Sequence, residues 1–275
     1  MSRILLLTGA TGFVGRQVLN ALSKLRLSVR VVVRNGSQDS LPIVDGIESI
    51  ITTEDMFAED AEWWARVCFN IDTVIHTAWY TEPGKYLHAA CNLDCLSGTL
   101  LLAKAAAQVG VRRFVGVGTC FEYDLSFGTL SVETPLGPST PYAASKAAAF
   151  VALSQWLPSQ GVEFAWCRLF YLYGEGEDIR RLAPYIRSKL EQGEYAELTN
   201  GNQIRDFLDV CEAGRSIAEE AIVHQQGAIN ICSGVPLTVR QFAEGIANEY
   251  GRADLLKFGA RSENLIDPPY VVGIK

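Results

Sequence analysis

Over the first two-thirds of the chain, two patterns of hydrophobic positions alternate. Short, nearly unbroken apolar runs stand at 3–8 ("RILLLT"), 27–34 ("LSVRVVVR"), 47–52 ("IESIIT"), 72–78 ("DTVIHTA"), 112–119 ("RRFVGVGT") and 162–169 ("VEFAWCRL"). Continuous apolar runs of this length suit parallel strands covered on both faces. Between them, apolar positions recur at helical spacing over 13–25, 57–69, 85–109 and 141–157. Right-handed crossovers then put the helices on alternate sides of one sheet. The pattern predicts an α/β chain with a doubly wound parallel sheet.

After about residue 170 the elements become shorter. "GEGED" is a polar break, followed by a helix at about 178–192, the stretch "AELTNGNQIRDFLDV", and a helix running to about 223. "GAINICSG" reads as a short strand and "TVRQFAEGIANEYG" as an amphipathic helix with a glycine stop. The expected organisation is a first unit at 1–169 and a smaller, interwoven unit at 170–275. The segment near 204–223 is expected to return to the first unit.

Composition narrows the classes. The chain has 275 residues, 48% of them hydrophobic and 20% charged, which suits a compact fold. A net charge of −7 argues against general binding to nucleic acid or anionic membranes. No apolar run approaches the roughly 20 residues of a membrane span, and no signal peptide is visible. The seven cysteines include no Cys-x-x-Cys pair, so they read as core thiols in a reducing, cytoplasmic compartment. Three scattered histidines argue against a metal site.

Chemistry enters at "LLLTGATGFVG", where Gly9, Gly12 and Gly15 follow the first strand and open the first helix. In a dinucleotide site, the first glycine permits the tight turn, the second lets backbone approach pyrophosphate, and the third allows close helix packing. The helix N-terminus then offers free N–H groups to the phosphates. The other reading is a bare strand-to-helix loop. Arg34 ends the second strand where NAD sites usually carry an acid, so it is placed to pair with a 2′-phosphate and favours NADP, with NAD as the alternative. A plain strand-end arginine is the competing reading. Thr11, Phe13 and Val14 in the turn, Asp55 and Met56 after the third strand, and Thr77 and Ala78 at the end of the fourth run complete the expected cofactor set. Together these features predict a Rossmann-type dinucleotide fold.

"STPYAASK" sets Tyr142 and Lys146 four apart on a helix that Ser139 or Thr140 caps. A free phenol, with a pKa of about 10, is a poor acid–base group at neutral pH. A neighbouring ammonium and a nicotinamide cation are expected to draw it down. Both side chains also count as cofactor contacts. Thr119 ends the fifth strand, where ligands lie in open α/β sheets, and its hydroxyl is placed to meet the oxygen that Tyr142 protonates. His76 reads as a packing or hydrogen-bonding residue.

With these motifs in hand, the chain resembles the extended short-chain dehydrogenase/reductase family in its nucleotide-sugar epimerase/dehydratase branch. The likeness runs from residue 3 to the C-terminus through "TGATGFVG", "DTVIHTAW", "NLDCLSGTLLLAKAA", "GTCFEY", "PYAASK", "RLFYLYGEGED", "NGNQIRDFLDV" and "INICSGVPLTVRQFAEGIA". It implies Thr119, Tyr142 and Lys146 as the catalytic set. Arg205 would meet a nucleotide diphosphate, joined by Arg180 or Arg181; a salt bridge between Arg205 and Asp206 is the structural alternative. It also implies a nucleotide-sugar substrate and a homodimer, often built through helices like 85–109 and 141–157.

Three reactions share the hydride transfer. Cys120 and Phe121 replace the acidic pair that follows the catalytic hydroxyl residue in dehydratases, so dehydration is disfavoured. Arg34 sits poorly with the tightly held NAD of an epimerase. The nearest likeness is to the nucleotide-linked 4-keto-6-deoxyhexose reductases, the CDP-abequose synthase-like group, with a 4-epimerase as the alternative. A non-catalytic NADP-binding or scaffold protein is the alternative of another class. Two departures stand out: Tyr171 replaces the usual Asn in "RLFYLYG", and the chain stops at "PPYVVGIK" where relatives commonly continue.

Overall fold

The computed structural model describes residues 3–263 and 268–275. In chain order, β1 (Ile4–Thr8), α1 (Phe13–Lys24), β2 (Ser28–Arg34), β3 (Ile47–Thr53), α2 (Ala61–Val67), β4 (Thr73–His76) and α3 (Asn92–Gln108) come first. Then follow β5 (Arg113–Thr119), β6 (Thr129–Leu130), α4 (Pro141–Ser159), β7 (Glu163–Leu169), β8 (Tyr171–Tyr173), α5 (Leu182–Glu191), β9 (Ala196–Glu197) and β10 (Ile204–Asp209). The chain closes with α6 (Val210–Glu220), β11 (Gly227–Ile231), β12 (Pro236–Thr238), α7 (Val239–Glu249), β13 (Leu256–Lys257) and β14 (Tyr270–Gly273).

Seven strands form one parallel sheet in the order β11-β7-β5-β4-β1-β2-β3. Successive side chains point to opposite faces, so one run of leucines feeds two cores. Leu5 and Leu7 face the layer of α1 and α6, whereas Leu6 packs with Trp64, Leu102 and Leu153 on the layer of α2, α3 and α4. The doubly wound sheet expected from the apolar runs is what the chain forms.

Helix ends move where local capping decides them. Asp60 accepts the Trp63 N–H at 2.7 Å, so the helix expected over 57–69 begins only at Ala61. The one expected over 85–109 begins at Asn92, after a separate short turn at Tyr86–His88. Of the two capping candidates for α4, Thr140 caps it, accepting the Ala143 N–H at 3.2 Å, with Pro141 in the first turn.

A smaller sheet has the order β12-β10-β14-β6, with β8 paired to β10. A third core cluster joins α5 to α7 around Ile186, Phe242 and Ile246. The chain returns late to the main layer: α6 packs along α1, and β11 pairs with β7. Five of the seven cysteines (68, 95, 120, 167 and 232) are buried thiols, Cys91 is half-buried and Cys211 exposed. No described helix is long and apolar enough to cross a membrane.

Candidate functional site

Strand order reverses between β1 and β4, and the crevice at such a switch point is where open α/β sheets take ligands. The glycine turn sits there. Gly9 has φ +76°, a backbone conformation that other residues rarely adopt. Gly12 donates its N–H to the Gly9 carbonyl at 3.0 Å and precedes α1 with no side-chain cap. A Cβ on Gly15 would stand 2.1 Å from the Gly9 carbonyl oxygen, so only glycine lets helix and turn close together. The uncapped N–H groups at the start of α1 are left for an anion.

The turn opens onto a cavity of about 900 Å³ along the C-terminal ends of the strands. Gly9, Thr11, Gly12, Phe13, Val14 and Gly15 form one end of it. Arg34 at the end of β2, Asp55 and Met56 after β3, and Thr77 and Ala78 after β4 also line it. So do Thr119, Tyr142 and Lys146. Residues from six separate stretches thus meet at one surface.

The arginines expected at the substrate divide. Arg181 lines the cavity, but Arg180 and Arg205 do not. Arg180 is solvent-exposed, its Nε 2.8 Å from Asp178 Oδ1 and its Nη1 4.0 Å from Glu82. Arg205 is buried, donates from Nη1 to the Ile204 carbonyl at 2.9 Å and lies 5.1 Å above the Tyr171 ring. The alternative pairing of Arg205 with Asp206 does not form. Asp206 accepts instead from Ser233 N–H and Oγ, both at 2.7 Å, and from the N–H groups of Gly234 at 2.9 Å and Gly273 at 3.1 Å. Backbone donors close by saturate that carboxylate and leave the arginine to the aromatic ring.

Burial governs the electrostatics. Tyr142 and Lys146 are 8% and 3% exposed. Burial pushes the Tyr142 phenol above its usual range, and a side-chain hydrogen bond with Thr119 draws it back only in part. This is opposite to the downward shift expected beside an ammonium. Burial sets the phenol's direction, and it also brings Lys146 down to about 7. Lys146 Nζ donates to the Val117 carbonyl at 2.6 Å.

His76 is a structural residue, as its surroundings in the sequence suggest. Thr99 gives its hydroxyl proton to the Cys95 carbonyl at 2.7 Å, so its oxygen takes the His76 Nε2–H at 2.9 Å. Nδ1 then accepts from Thr8 Oγ1 at 2.8 Å. Burial holds the ring neutral, with its pKa down to about 3.

Two features escape the sequence reading. Glu122, fully buried, accepts the Thr119 N–H at 2.8 Å, Trp166 Nε1 at 3.0 Å and Arg168 Nε at 2.8 Å. Thr119 Oγ1 accepts from Phe121 N–H at 3.3 Å, which completes a capping box around the turn after β5. The signal was the Thr-x-x-Glu spacing in "GTCFEY". The second is Trp79, which lines the cavity with its ring beside Lys146; no spacing rule points to it.

Comparison with known proteins fits this geometry. A dTDP-6-deoxy-L-talose 4-dehydrogenase (NAD(+)) from Aggregatibacter actinomycetemcomitans is 23% identical over 98% of this chain and 99% of its own. A CDP-abequose synthase from Salmonella muenchen is 27% identical over 94% of this chain and 85% of its own. Among solved structures, a UDP-N-acetylglucosamine 4-epimerase from Methanobrevibacter ruminantium M1, in complex with UDP-N-acetylmuramic acid, superposes with a TM-score of 0.86. It is 21% identical over 99% of this chain and 89% of its own, a likeness of fold. The family model described as "NAD dependent epimerase/dehydratase family" matches residues 5–232. The chain therefore belongs to the NAD dependent epimerase/dehydratase family, enzymes of the extended short-chain dehydrogenase/reductase type.

Proposed function

We propose that the protein is an NADPH-dependent reductase of a nucleotide-linked keto-deoxysugar, with Thr119, Tyr142 and Lys146 as its catalytic residues. The observation that carries this reading is their meeting with the glycine turn and Arg34 on one cavity. The cradle at Gly9, Gly12 and Gly15 fits a pyrophosphate, since backbone N–H groups are exposed where side chains are absent. Thr11, Phe13 and Val14 belong to the same cradle, Asp55 and Met56 to the adenine end, and Thr77 and Ala78 to the middle. When bound, a nicotinamide cofactor supplies the hydride.

The protein supplies the proton and the orientation. Tyr142 holds a proton at Oη because its burial favours the neutral phenol, the form a proton donor needs. It passes that proton to the carbonyl oxygen as the oxygen becomes an alcohol. Thr119 Oγ1 donates a hydrogen bond to the same oxygen. Lys146 holds the nicotinamide ribose.

Arg34 supports NADP. It is exposed, lines the cavity beside Ser37, and has no ion-pair partner among the described residues. Cys120 and Phe121 also line the cavity, so the wall following Thr119 carries no carboxylate for dehydration. Of the three arginines proposed for the nucleotide diphosphate, Arg181 has the strongest support, and Arg180 and Arg205 stand outside the cavity lining.

The second reading, an NAD-dependent 4-epimerase, uses the same three residues and is favoured by the family's own description. A 4-keto-6-deoxy nucleotide sugar separates the readings. The reductase oxidises stoichiometric NADPH, an epimerase interconverts sugars with no net change in nicotinamide absorbance, and a non-catalytic binder turns over neither.

We also propose the two-unit division at residue 169, which the packing of α6 on α1 supports through the returning segment 204–223. A homodimer through α3 and α4 belongs to the same proposal. Ala103 and Ala106 of α3 and Ala147 of α4 are covered within the chain. The open stripe of α4 is Ala144, Ala148, Val151 and Ala152. Light scattering tests the dimer, and a monomer at micromolar concentration removes it.

A further inference from the structure

Trp79 lies three residues past the end of β4, and its indole is held on several sides. Its Nε1 donates to Asn92 Oδ1 at 2.9 Å. The Asn92 amide in turn donates to the carbonyls of Tyr86 and Ala89 at 2.7 and 2.9 Å. Asn92 is fully buried, so this peg does not rotate freely. Phe57 and Tyr142 pack edge-on against the indole, with ring centroids 6.5 and 6.4 Å away. The face so presented carries the Lys146 ammonium, 3.8 Å from the ring centroid.

Lys146 needs such a partner. It is buried, and the Val117 carbonyl is the acceptor its Nζ reaches among the described residues. The charged and titratable groups around it come from every neighbouring element. Tyr142 shares its helix, Glu122 follows β5, His76 ends β4 and Cys95 lies on α3. Arg168 on β7 is already paired with Glu122. Glu122 makes no direct ion pair with the ammonium, and Trp166 stands farther off, at 5.8 Å from Nζ to centroid. An aromatic face attracts a cation through its quadrupole, most strongly when water is excluded.

We propose that Trp79 is a positioning residue for Lys146, its Asn92-pegged indole face keeping the ammonium charged and aimed into the cavity beside Tyr142. Trp79 itself donates no proton and accepts none. The proposal rests on the reading of this cavity as a nicotinamide nucleotide site. The charge that Trp79 protects is the one Lys146 uses to hold the nucleotide, so nucleotide affinity reports it directly.

The test compares NADPH affinity with pH in the wild type, Trp79→Phe, Trp79→Leu and Asn92→Ala, using the nucleotide's own fluorescence. Affinity weakens on the alkaline side as Lys146 loses its proton. Removing the aromatic face disfavours the cation, so the midpoint of that weakening moves to lower pH. The expected displacement is about one to one and a half pH units in Trp79→Leu, the size of a desolvated cation–π contact. Trp79→Phe and Asn92→Ala fall between, each displaced by roughly a third of a unit or more. Below the midpoint all variants bind within about threefold of wild type. A uniform loss of affinity with an unmoved midpoint marks a merely structural role and overturns the proposal. Circular dichroism qualifies each variant; if Trp79→Leu does not fold, an unmoved midpoint in Trp79→Phe and Asn92→Ala overturns it equally. If the wild type binds neither NADPH nor NADH, the reading of the cavity fails and takes this proposal with it.

Discussion

Lys146 Nζ reaches the Val117 carbonyl at 2.6 Å and so ties α4 to β5 two residues before Thr119. One helical turn earlier on α4, Tyr142 is thereby directed at the Thr119 hydroxyl. The arrangement puts the phenol's proton to use and makes a sharp demand on Tyr142→Phe. Turnover is expected to fall by about 10³-fold or more, with NADPH affinity within a few-fold of wild type. Steady-state rates and a fluorescence titration check it, and full activity in the variant removes Tyr142 as proton donor.

The same burial makes Lys146 a cost to the fold. Its pKa is about 7 in the folded chain against 10.5 ordinarily. Between those values the unfolded chain binds more protons, so this group's contribution to stability rises with pH across that window. Below about pH 7 the cost is fully present. Lys146→Met is therefore expected to melt several degrees higher at pH 6–7, with the gain fading toward pH 10.5. Thermal melts across that range decide it; equal midpoints at pH 6.5 would contradict the assignment.

Gly15 tests the cradle. A methyl group there would meet the Gly9 carbonyl at 2.1 Å and the Thr77 hydroxyl at 2.7 Å. Gly15→Ala must push α1 off the turn, at about 1–3 kcal/mol of stability. Chemical denaturation measures the first effect. A nucleotide titration is expected to show at least tenfold weaker NADPH binding, and unchanged affinity would take the pyrophosphate away from this turn.

Arg34 tests the cofactor choice. Arg34→Ala should lose most of any preference for NADPH over NADH, by about 1–3 kcal/mol of charge-assisted pairing. The ratio of the two dissociation constants measures it. An unchanged ratio leaves Arg34 as a strand-end arginine and shifts weight to the NAD-dependent epimerase.

The main sheet is legible in the sequence because its central strands are nearly unbroken apolar runs sandwiched between helices. Leu5, Leu6 and Leu7 need no partner to announce burial on both faces. The smaller sheet is not legible. β6 has two residues and β8 three, and their pairing with β14 and β10 is set by segments far along the chain. Thr119, Tyr142, Lys146 and the glycines could be placed from spacing and chain order. The upward push on the Tyr142 phenol could not, because it depends on how deeply α4 packs rather than on which residues are neighbours. Arg205 and Asp206 adjoin in sequence, yet strand geometry sends them to opposite sides, one to Tyr171 and the other to the backbone at Ser233 and Gly234.

Adding a 4-keto-6-deoxy nucleotide sugar to the protein with NADPH, and following absorbance beside product analysis, tests the central claim most directly. The account predicts one NADPH oxidised for each keto-sugar reduced to its alcohol. Interconversion of 4-epimers at constant nicotinamide absorbance, or no turnover with nucleotide bound, would contradict it.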